Sequence, residues 1–182
     1  MTSPPTRLPI VGVMGSGTRA HAHRSEPLGR WLASAGVHLL TGGGSGVMAS
    51  VSRAFCEAPD RRGLVIGILP ADGSPTPSAP VGYPNPWVEL PIRTHLHELG
   101  TRGAEPLSRN HLNVLSAEVI IALPGSAGTS SEVRLDLRYG RPLVAFVTSR
   151  DEIEDLPDEV AIESELHGIQ RFVRAALPMI GT

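Results

Sequence analysis

The sequence predicts an α/β fold: a single-domain, doubly wound, mostly parallel sheet with helices on both faces. Short apolar runs alternate along the chain with segments of helical periodicity, as in strand–helix–strand units. Several of these runs end in glycine-rich turns, and the loops of parallel strands gather at the carboxyl edge of the sheet. Because ligands bind beyond that edge in such folds, we expect the functional site there.

The elements follow from the apolar pattern, and Gly36 and Gly140 are expected to end the first and fourth helices. Pro27 suits a first helical turn. The predicted strands cover residues 8–14, 37–40, 64–69, 87–90, 119–123 and 143–147, with residues 92–96 extending the fourth. Four of the predicted helices cover residues 26–35, 47–58, 106–117 and 163–177. Another predicted helix runs from the glycine turn at residues 125–128 to about residue 138.

We expect residues 8–182 to form one domain. Residues 1–7 are read as a short disordered leader, because they lack the apolar core of a signal peptide. A proline-rich loop over residues 70–86 and an acidic loop over residues 149–162 interrupt the regular pattern. A loop as long as the first is usually functional or disordered. No apolar stretch approaches the roughly 18 residues that cross a bilayer, so no membrane association is expected.

The composition excludes several chemistries. All 16 basic residues are arginine, so a pyridoxal-phosphate Schiff base and a P-loop lysine are both excluded. The net charge is −2 and no basic stripe is present, which argues against nucleic-acid binding and leaves small anions as partners. Cys56 is the single cysteine, which fits a reducing cytoplasm. His95 and His97 lack a third ligand at suitable spacing, so no metal site is predicted.

An anion cradle is predicted where the strand at residues 119–123 passes through a glycine turn into a helix. The backbone N–H groups and the dipole of a helix start attract phosphate. Glu132, read as part of the first helical turn, has two interpretations of equal weight. It forms a capping box with Thr129, or it acts on whatever the anion carries. The candidate phosphate-binding residues here are Pro124, Gly125, Ser126, Ala127, Gly128 and Thr129.

Two earlier glycine turns, at residues 15–17 and 42–46, are expected to converge with this one on a single crevice. The first turn does not match the dinucleotide fingerprint, which needs G-x-G-x-x-G. The second holds four glycines in five positions, an entropic cost that favours close ligand approach over a mere turn. The candidate ligand-binding residues are Gly15 and Ser16 in the first turn and Gly43, Gly44 and Gly46 in the second.

Residues 124–132 resemble the P-G-G-x-G-T-x-x-E signature of the LOG family, whose members are cytokinin-activating phosphoribohydrolases long mistaken for lysine decarboxylases. Residues 41–48 are similar to the family's second glycine loop, and Gly15 and Ser16 to its first. The resemblance spans residues 8–148 and implies a Rossmann-like fold. It also implies that Arg109, which lies 23 residues before Glu132, forms the catalytic pair with it, and that Met48 and Asn110 contact the ligand.

The sequence departs from that pattern at two places. Ser126 replaces the second motif glycine, and Ser108-Arg109-Asn110 replaces the usual H-E-R-K context. Together with residues 83–87, the second departure resembles a sister branch that includes the molybdenum cofactor carrier proteins. That branch binds a phosphorylated pterin without turnover.

The resemblance therefore implies two hypotheses. In the first, the chain hydrolyses the N-glycosidic bond of a nucleoside 5′-monophosphate, needs no cofactor, and releases base and ribose 5-phosphate. Glu132 then stabilises the oxocarbenium-like sugar or activates water, and Arg109 orients the substrate and keeps Glu132 ionised. In the second, the chain carries the molybdenum cofactor as a bound ligand, Glu132 is mainly a helix cap, and residues 70–86 form a lid or partner surface. Both imply a homodimer or homotetramer, with the helices after the glycine loops at the interface.

Overall fold

One seven-stranded sheet organises the computed structural model, which describes residues 7–178. All neighbouring strands pair in parallel. The strands are β1 (Ile10–Met14), β2 (His38–Thr41), β3 (Val65–Leu69), β4 (Leu90–Arg93), β5 (Val119–Ala122), β6 (Leu143–Phe146) and β7 (Ala161–Glu163). The helices are α1 (Ala22–Ala35), α2 (Val47–Cys56), α3 (Asn110–Ser116), α4 (Ala127–Tyr139) and α5 (Leu166–Ala176).

The strand order is β4-β3-β2-β1-β5-β6-β7, so the chain winds outward from β1 in one direction and then crosses back to start again at β5. The β1–β5 register pairs Met14 with Ala122, and the two strands end side by side. The loops that follow β1 and β5 lead to opposite halves of the sheet. A crevice opens between these two loops, at the topological switch point. The predicted doubly wound α/β fold is confirmed.

Apolar side chains cover both faces of the sheet, which explains why its central strands read as continuous hydrophobic runs. On one face α1, α2 and α5 pack through Leu28, Leu32, Val51, Phe55, Ile169 and Val173. On the other face the sheet meets α3 and α4, with Val133 and Ile120 buried between the layers. The helices α1 and α4 end at Gly36 and Gly140, whose φ angles are 74° and 64°, as predicted.

The elements α1, α3 and β4 begin at different residues from those that the sequence predicts. The helix α1 begins at Ala22 and takes Pro27 into its interior, because the carbonyl of His21 already accepts the N–H groups of residues 24 and 25. The helix α3 begins only at Asn110, since residues 105–108 are held in turns by backbone bonds to neighbouring segments. The strand β4 lies three residues later than expected, because the Asn85 side chain and carbonyl accept the N–H groups of residues 87 and 88.

The strand β7 was not predicted, because three largely exposed residues carry no apolar pattern. Its pairing with β6 also delays the start of α5 to Leu166. Of the predicted leader only Arg7 lies within the described residues, where it pairs with Glu118. Among the helices of the described part of the chain, none has the length and apolar character needed to span a bilayer.

Candidate functional site

A cavity of about 240 Å³ opens between the carboxyl ends of β1 and β5. It is lined by the turns that follow these strands, by the start of α3 and by the first two turns of α4. The predicted site residues that line it are Gly15, Ser16, Met48, Arg109, Asn110, Ser126, Gly128, Thr129 and Glu132. Two others, Pro124 and Gly125, line a neighbouring cavity instead.

The three glycine turns meet, as the sequence predicts. The N–H of Ser16 donates to the carbonyl of Pro124 at 3.0 Å, and the N–H of Val47 donates to the carbonyl of Ser16 at 2.8 Å. Gly46 has a φ of 62°, and a Cβ there would overlap the backbone of the first turn. The turns after β1, β2 and β5 are therefore joined through their backbones, and Ser16 is the central link.

The second glycine turn packs against residues that line the cavity. Gly43, Gly44 and Gly46 are not themselves among the lining residues. A Cβ at Gly44 would overlap Met48 and the hydroxyl of Tyr83, two side chains that do line it. The glycines of this turn therefore leave room for protein groups. They position the wall of the cavity and do not form it.

The long loop over residues 70–86 is anchored on this second turn. The N–H of Asn85 donates to the carbonyl of Gly43 at 2.7 Å, and its side-chain amide donates to the carbonyl of Gly44 at 2.9 Å. These bonds bring Tyr83 to the cavity. Tyr83 is not among the predicted site residues, although an aromatic residue in a long loop is a signal for one.

The start of α4 faces open space. Ser126 is the N-cap residue, its side chain makes no capping bond, and Ala127 is the first helical residue. A side chain at Gly128 would meet no atom within 4 Å. The first N–H groups of a helix have no partner within the helix, so this end offers donors and a positive dipole to the cavity.

The capping-box interpretation of Thr129 and Glu132 is wrong. Because the helix begins at Ala127, Thr129 lies inside its first turn and Glu132 lies in the second, so neither residue caps it. Thr129 instead packs against Gly125, where any Cβ would overlap the threonine hydroxyl. Glu132 is left free for contacts with α3.

Arg109 and Glu132 form a buried pair. Nη1 of Arg109 lies 3.3 Å from Oε1 of Glu132, and the two side chains are only 6% and 9% exposed. The side-chain amide of Asn113 donates to the same carboxylate oxygen at 3.0 Å, and Nη1 of Arg109 also donates to Oδ1 of Asn110 at 2.9 Å. Nε of Arg109 has no hydrogen-bond partner among the described residues. Arg109 and Glu132 both line the cavity, so the pair lies in its wall.

Opposing effects act on the pKa of the Glu132 carboxyl. Burial raises the pKa of its carboxyl above the ordinary 4.5, and Arg109 and Asn113 only partly offset this effect. The guanidinium therefore does act in the expected direction, but it does not hold Glu132 at or below a normal pKa. The raised pKa of this carboxyl is closer to neutral pH, and a general acid or base is most effective when its pKa lies near the working pH.

Asp136 is a second buried carboxyl that the sequence analysis missed. It lies one helical turn after Glu132, is fully buried, and neither of its oxygens has a hydrogen-bond partner among the described residues. Burial and the charge of Glu132 raise its pKa to about 8, against the opposing effect of Arg141. The four-residue spacing, which places both acids on one face of α4, is the signal that was available in the sequence.

The chain is similar to known proteins in family and in fold. The model of the SLOG cluster4 family matches residues 8–171. No curated protein matches the chain. A molybdenum cofactor binding protein from the phototrophic bacterium Rippkaea orientalis is 28% identical with a TM-score of 0.68, and the match covers 94% of this chain and 98% of that one.

The molybdenum cofactor carrier protein of Chlamydomonas reinhardtii is 30% identical with a TM-score of 0.66, over 94% of this chain and 99% of that one. The X-ray structure of a protein designated TM1055 is 21% identical with a TM-score of 0.70, over 92% and 99% of the two chains, and shares the fold. The resemblance to the LOG-like superfamily is thus confirmed. The chain belongs to the SLOG cluster4 family.

Proposed function

We propose that the chain binds a phosphorylated, nucleotide-like small molecule in the crevice between β1 and β5. The phosphate would lie at the start of α4, against the N–H groups near Gly128 and the hydroxyl groups of Ser126 and Thr129. The open space at Gly128 and the position of the Arg109 cation in the cavity wall support this placement. A flat ring would then contact Met48 and Tyr83, which line the same cavity.

The reaction that this geometry supports best is hydrolysis of an N-glycosidic bond in a nucleoside 5′-monophosphate. The observation that carries it is the buried Arg109–Glu132 pair in the wall of the cavity. Ionised Glu132 would stabilise the positive charge that develops on the sugar and accept a proton from the attacking water. The bond from C1′ to the base breaks, the new C1′–O bond forms, and the proton passes to the departing base. No cofactor is required.

A carrier function is the second candidate, and the two similar proteins named for the molybdenum cofactor favour it. The cofactor would be cargo, with its phosphate at the start of α4 and its ring system beside Met48 and Tyr83. Among residues 7–178 no group of three or more His, Cys, Asp or Glu side chains is placed to hold a metal ion.

One experiment separates the two functions. The protein at high concentration is incubated with a panel of nucleoside 5′-monophosphates, and chromatography detects free base. Release that is lost in Glu132→Gln, while ligand affinity stays within a few fold, supports the hydrolase. Absence of release from every nucleotide, with tight binding of the molybdenum cofactor, supports the carrier. Failure to bind either ligand class refutes the shared proposal.

We also propose that the chain assembles into a homodimer or homotetramer and works in the cytoplasm, as its relationship to the LOG-like proteins suggests. Large apolar side chains are exposed beside and along α3, at Leu107, Leu112 and Leu115. Apolar surface of this kind is often covered by a second subunit. Light scattering after size-exclusion chromatography measures the mass directly, and a monomer at micromolar concentration would contradict the assembly.

A further inference from the structure

A second cavity, of about 430 Å³, adjoins the first. The two cavities share Ser16 and Ser126, so they meet at the start of α4, where the proposed phosphate lies. The second cavity extends away from Glu132, between the turn that follows β1 and the acidic segment that follows β6. Small-molecule sites commonly measure about 300–1,000 Å³, so the volume of the first cavity suits a small nucleotide and the two cavities together have room for a larger ligand.

The far wall of the second cavity is rigidly held by a partly buried ion pair. Nη1 and Nη2 of Arg24 donate to the two carboxylate oxygens of Glu152 at 2.5 and 3.1 Å. The N–H groups of Thr148 and Ser149 donate to one of these oxygens as well. The donors lower the pKa of Glu152 to about 2, with the bond to Arg24 as the largest cause. The charge of Glu152 is thus matched within the wall and is not left to repel an anion.

The same wall is joined to the phosphate turn. The N–H of Gly125 donates to the carbonyl of Glu152 at 3.0 Å, and the N–H of Glu154 donates to the carbonyl of Gly125 at 3.1 Å. These bonds form an isolated parallel bridge between the two segments. The second cavity is therefore preformed and sits in a fixed position relative to the start of α4.

The remaining groups of the second cavity suit a second phosphate and a hydroxyl-rich group. Arg19 is exposed and has no ion-pair partner among residues 7–178. Burial and nearby positive charge lower the pKa of His21, so its neutral ring offers one donor and one acceptor. Asp151, on the opposite side, provides carboxylate oxygens that accept hydrogen bonds from hydroxyl groups.

We propose that the ligand is a nucleoside diphosphate carrying a sugar on its second phosphate. The first phosphate occupies the start of α4, the second contacts Arg19, and the hydroxyl groups of the sugar contact Asp151. This inference rests on the proposed function, since it requires the first phosphate to lie between the two cavities. It extends that function by naming a ligand class that fills both cavities, where a monophosphate fills one.

Calorimetry on the full chain tests the proposal with three probes that share a base: a nucleoside 5′-monophosphate, the 5′-diphosphate, and the diphosphate sugar, each in adenosine and guanosine forms. We expect the diphosphate sugar to bind at least tenfold more tightly than the monophosphate. Arg19→Ala should abolish most of this gain and leave the affinity for the monophosphate within about twofold. Asp151→Asn should weaken the binding of the diphosphate sugar and leave the binding of the other two probes unchanged.

Arg174→Ala is the matched control, because it removes one exposed arginine near the end of α5 that lines neither cavity. It should leave all affinities unchanged. Equal affinity for monophosphate and diphosphate sugar, or an equal loss for both in Arg19→Ala, would overturn the second subsite and leave the proposed function standing. Absence of binding to every probe would overturn the proposed function as well.

Discussion

Gly42 leaves room for the guanidinium of Arg109, because a Cβ on residue 42 would overlap the guanidinium that pairs with Glu132. The end of an arginine side chain is flexible and can move away, whereas backbone cannot. Gly42→Ala should therefore displace the guanidinium and leave the backbone in place. The glycine of one turn thus determines the position of a charge on another element.

We expect Gly42→Ala to weaken ligand binding about tenfold and to lower the melting temperature as well, because it disrupts a buried ion pair. The displaced cation no longer stabilises ionised Glu132, so the pKa of that carboxyl rises further. Calorimetry and thermal unfolding measure the two effects. In an Arg109→Ala background the same substitution should have little additional effect, because the competing group is absent. Additive losses in the double variant would show that Gly42 acts by another route.

Glu132→Gln should reduce base release by at least about 100-fold, the lower range for a lost proton-transfer group. In the native protein the rate should fall on the acid side with a midpoint above 4.5, because burial raises the pKa of Glu132. Single-turnover rates between pH 4 and 9 measure this profile. Glu159→Gln, an exposed position, is the control. A rate that persists in Glu132→Gln would remove Glu132 from the reaction.

Asp136→Asn should stabilise the protein increasingly as the pH rises. The folded carboxyl has a pKa of about 8 against an ordinary 3.8, so between these values the folded chain holds a proton that the unfolded chain releases. The contribution of the Asp136 carboxyl to the free energy of unfolding is fully present below about pH 3.8. This contribution is lost as the pH rises through about 8.

Thermal unfolding at pH 4.5 and 8.5 checks this. At the higher pH the melting temperature of the variant should exceed that of the native chain by at least roughly 3 °C, which corresponds to about 1 kcal/mol for a chain of this size. At the lower pH the two melting temperatures should be close to each other. Asp158→Asn, an exposed substitution of the same kind, should show no such trend. A constant difference at both pH values would contradict the buried proton.

Ser126→Gly restores the glycine of the LOG signature and tests whether the serine hydroxyl contacts phosphate. The backbone of Ser126 is extended, with φ of −104°, so serine is not strained there and glycine gains little from greater freedom. Loss of one hydrogen bond worth about 0.5–1.5 kcal/mol should weaken phosphate-dependent binding roughly threefold to tenfold. Ser126→Ala should have the same effect. Unchanged affinity in both variants would place the phosphate away from this hydroxyl.

The sequence was informative where one element alone determines the structure. Continuous apolar runs predicted the buried strands, and glycines after them predicted where the turns of the site would meet. The sequence did not predict features that depend on contacts between residues far apart in the chain. Nothing local to Gly44 reveals that Tyr83 fills the space beside it. Likewise, only burial against α3 distinguishes the carboxyl of Glu132 from an ordinary exposed glutamate on a helix.

The bridge between Gly125 and Ile153 makes the acidic segment a reporter of the phosphate turn. The amide of Glu154 is hydrogen-bonded to the carbonyl of Gly125, so it exchanges with solvent only when that turn opens. An occupied site should therefore slow deuterium uptake at this one amide, although it contacts no ligand. Occupancy could thus be followed by mass spectrometry before the identity of the bound molecule is known.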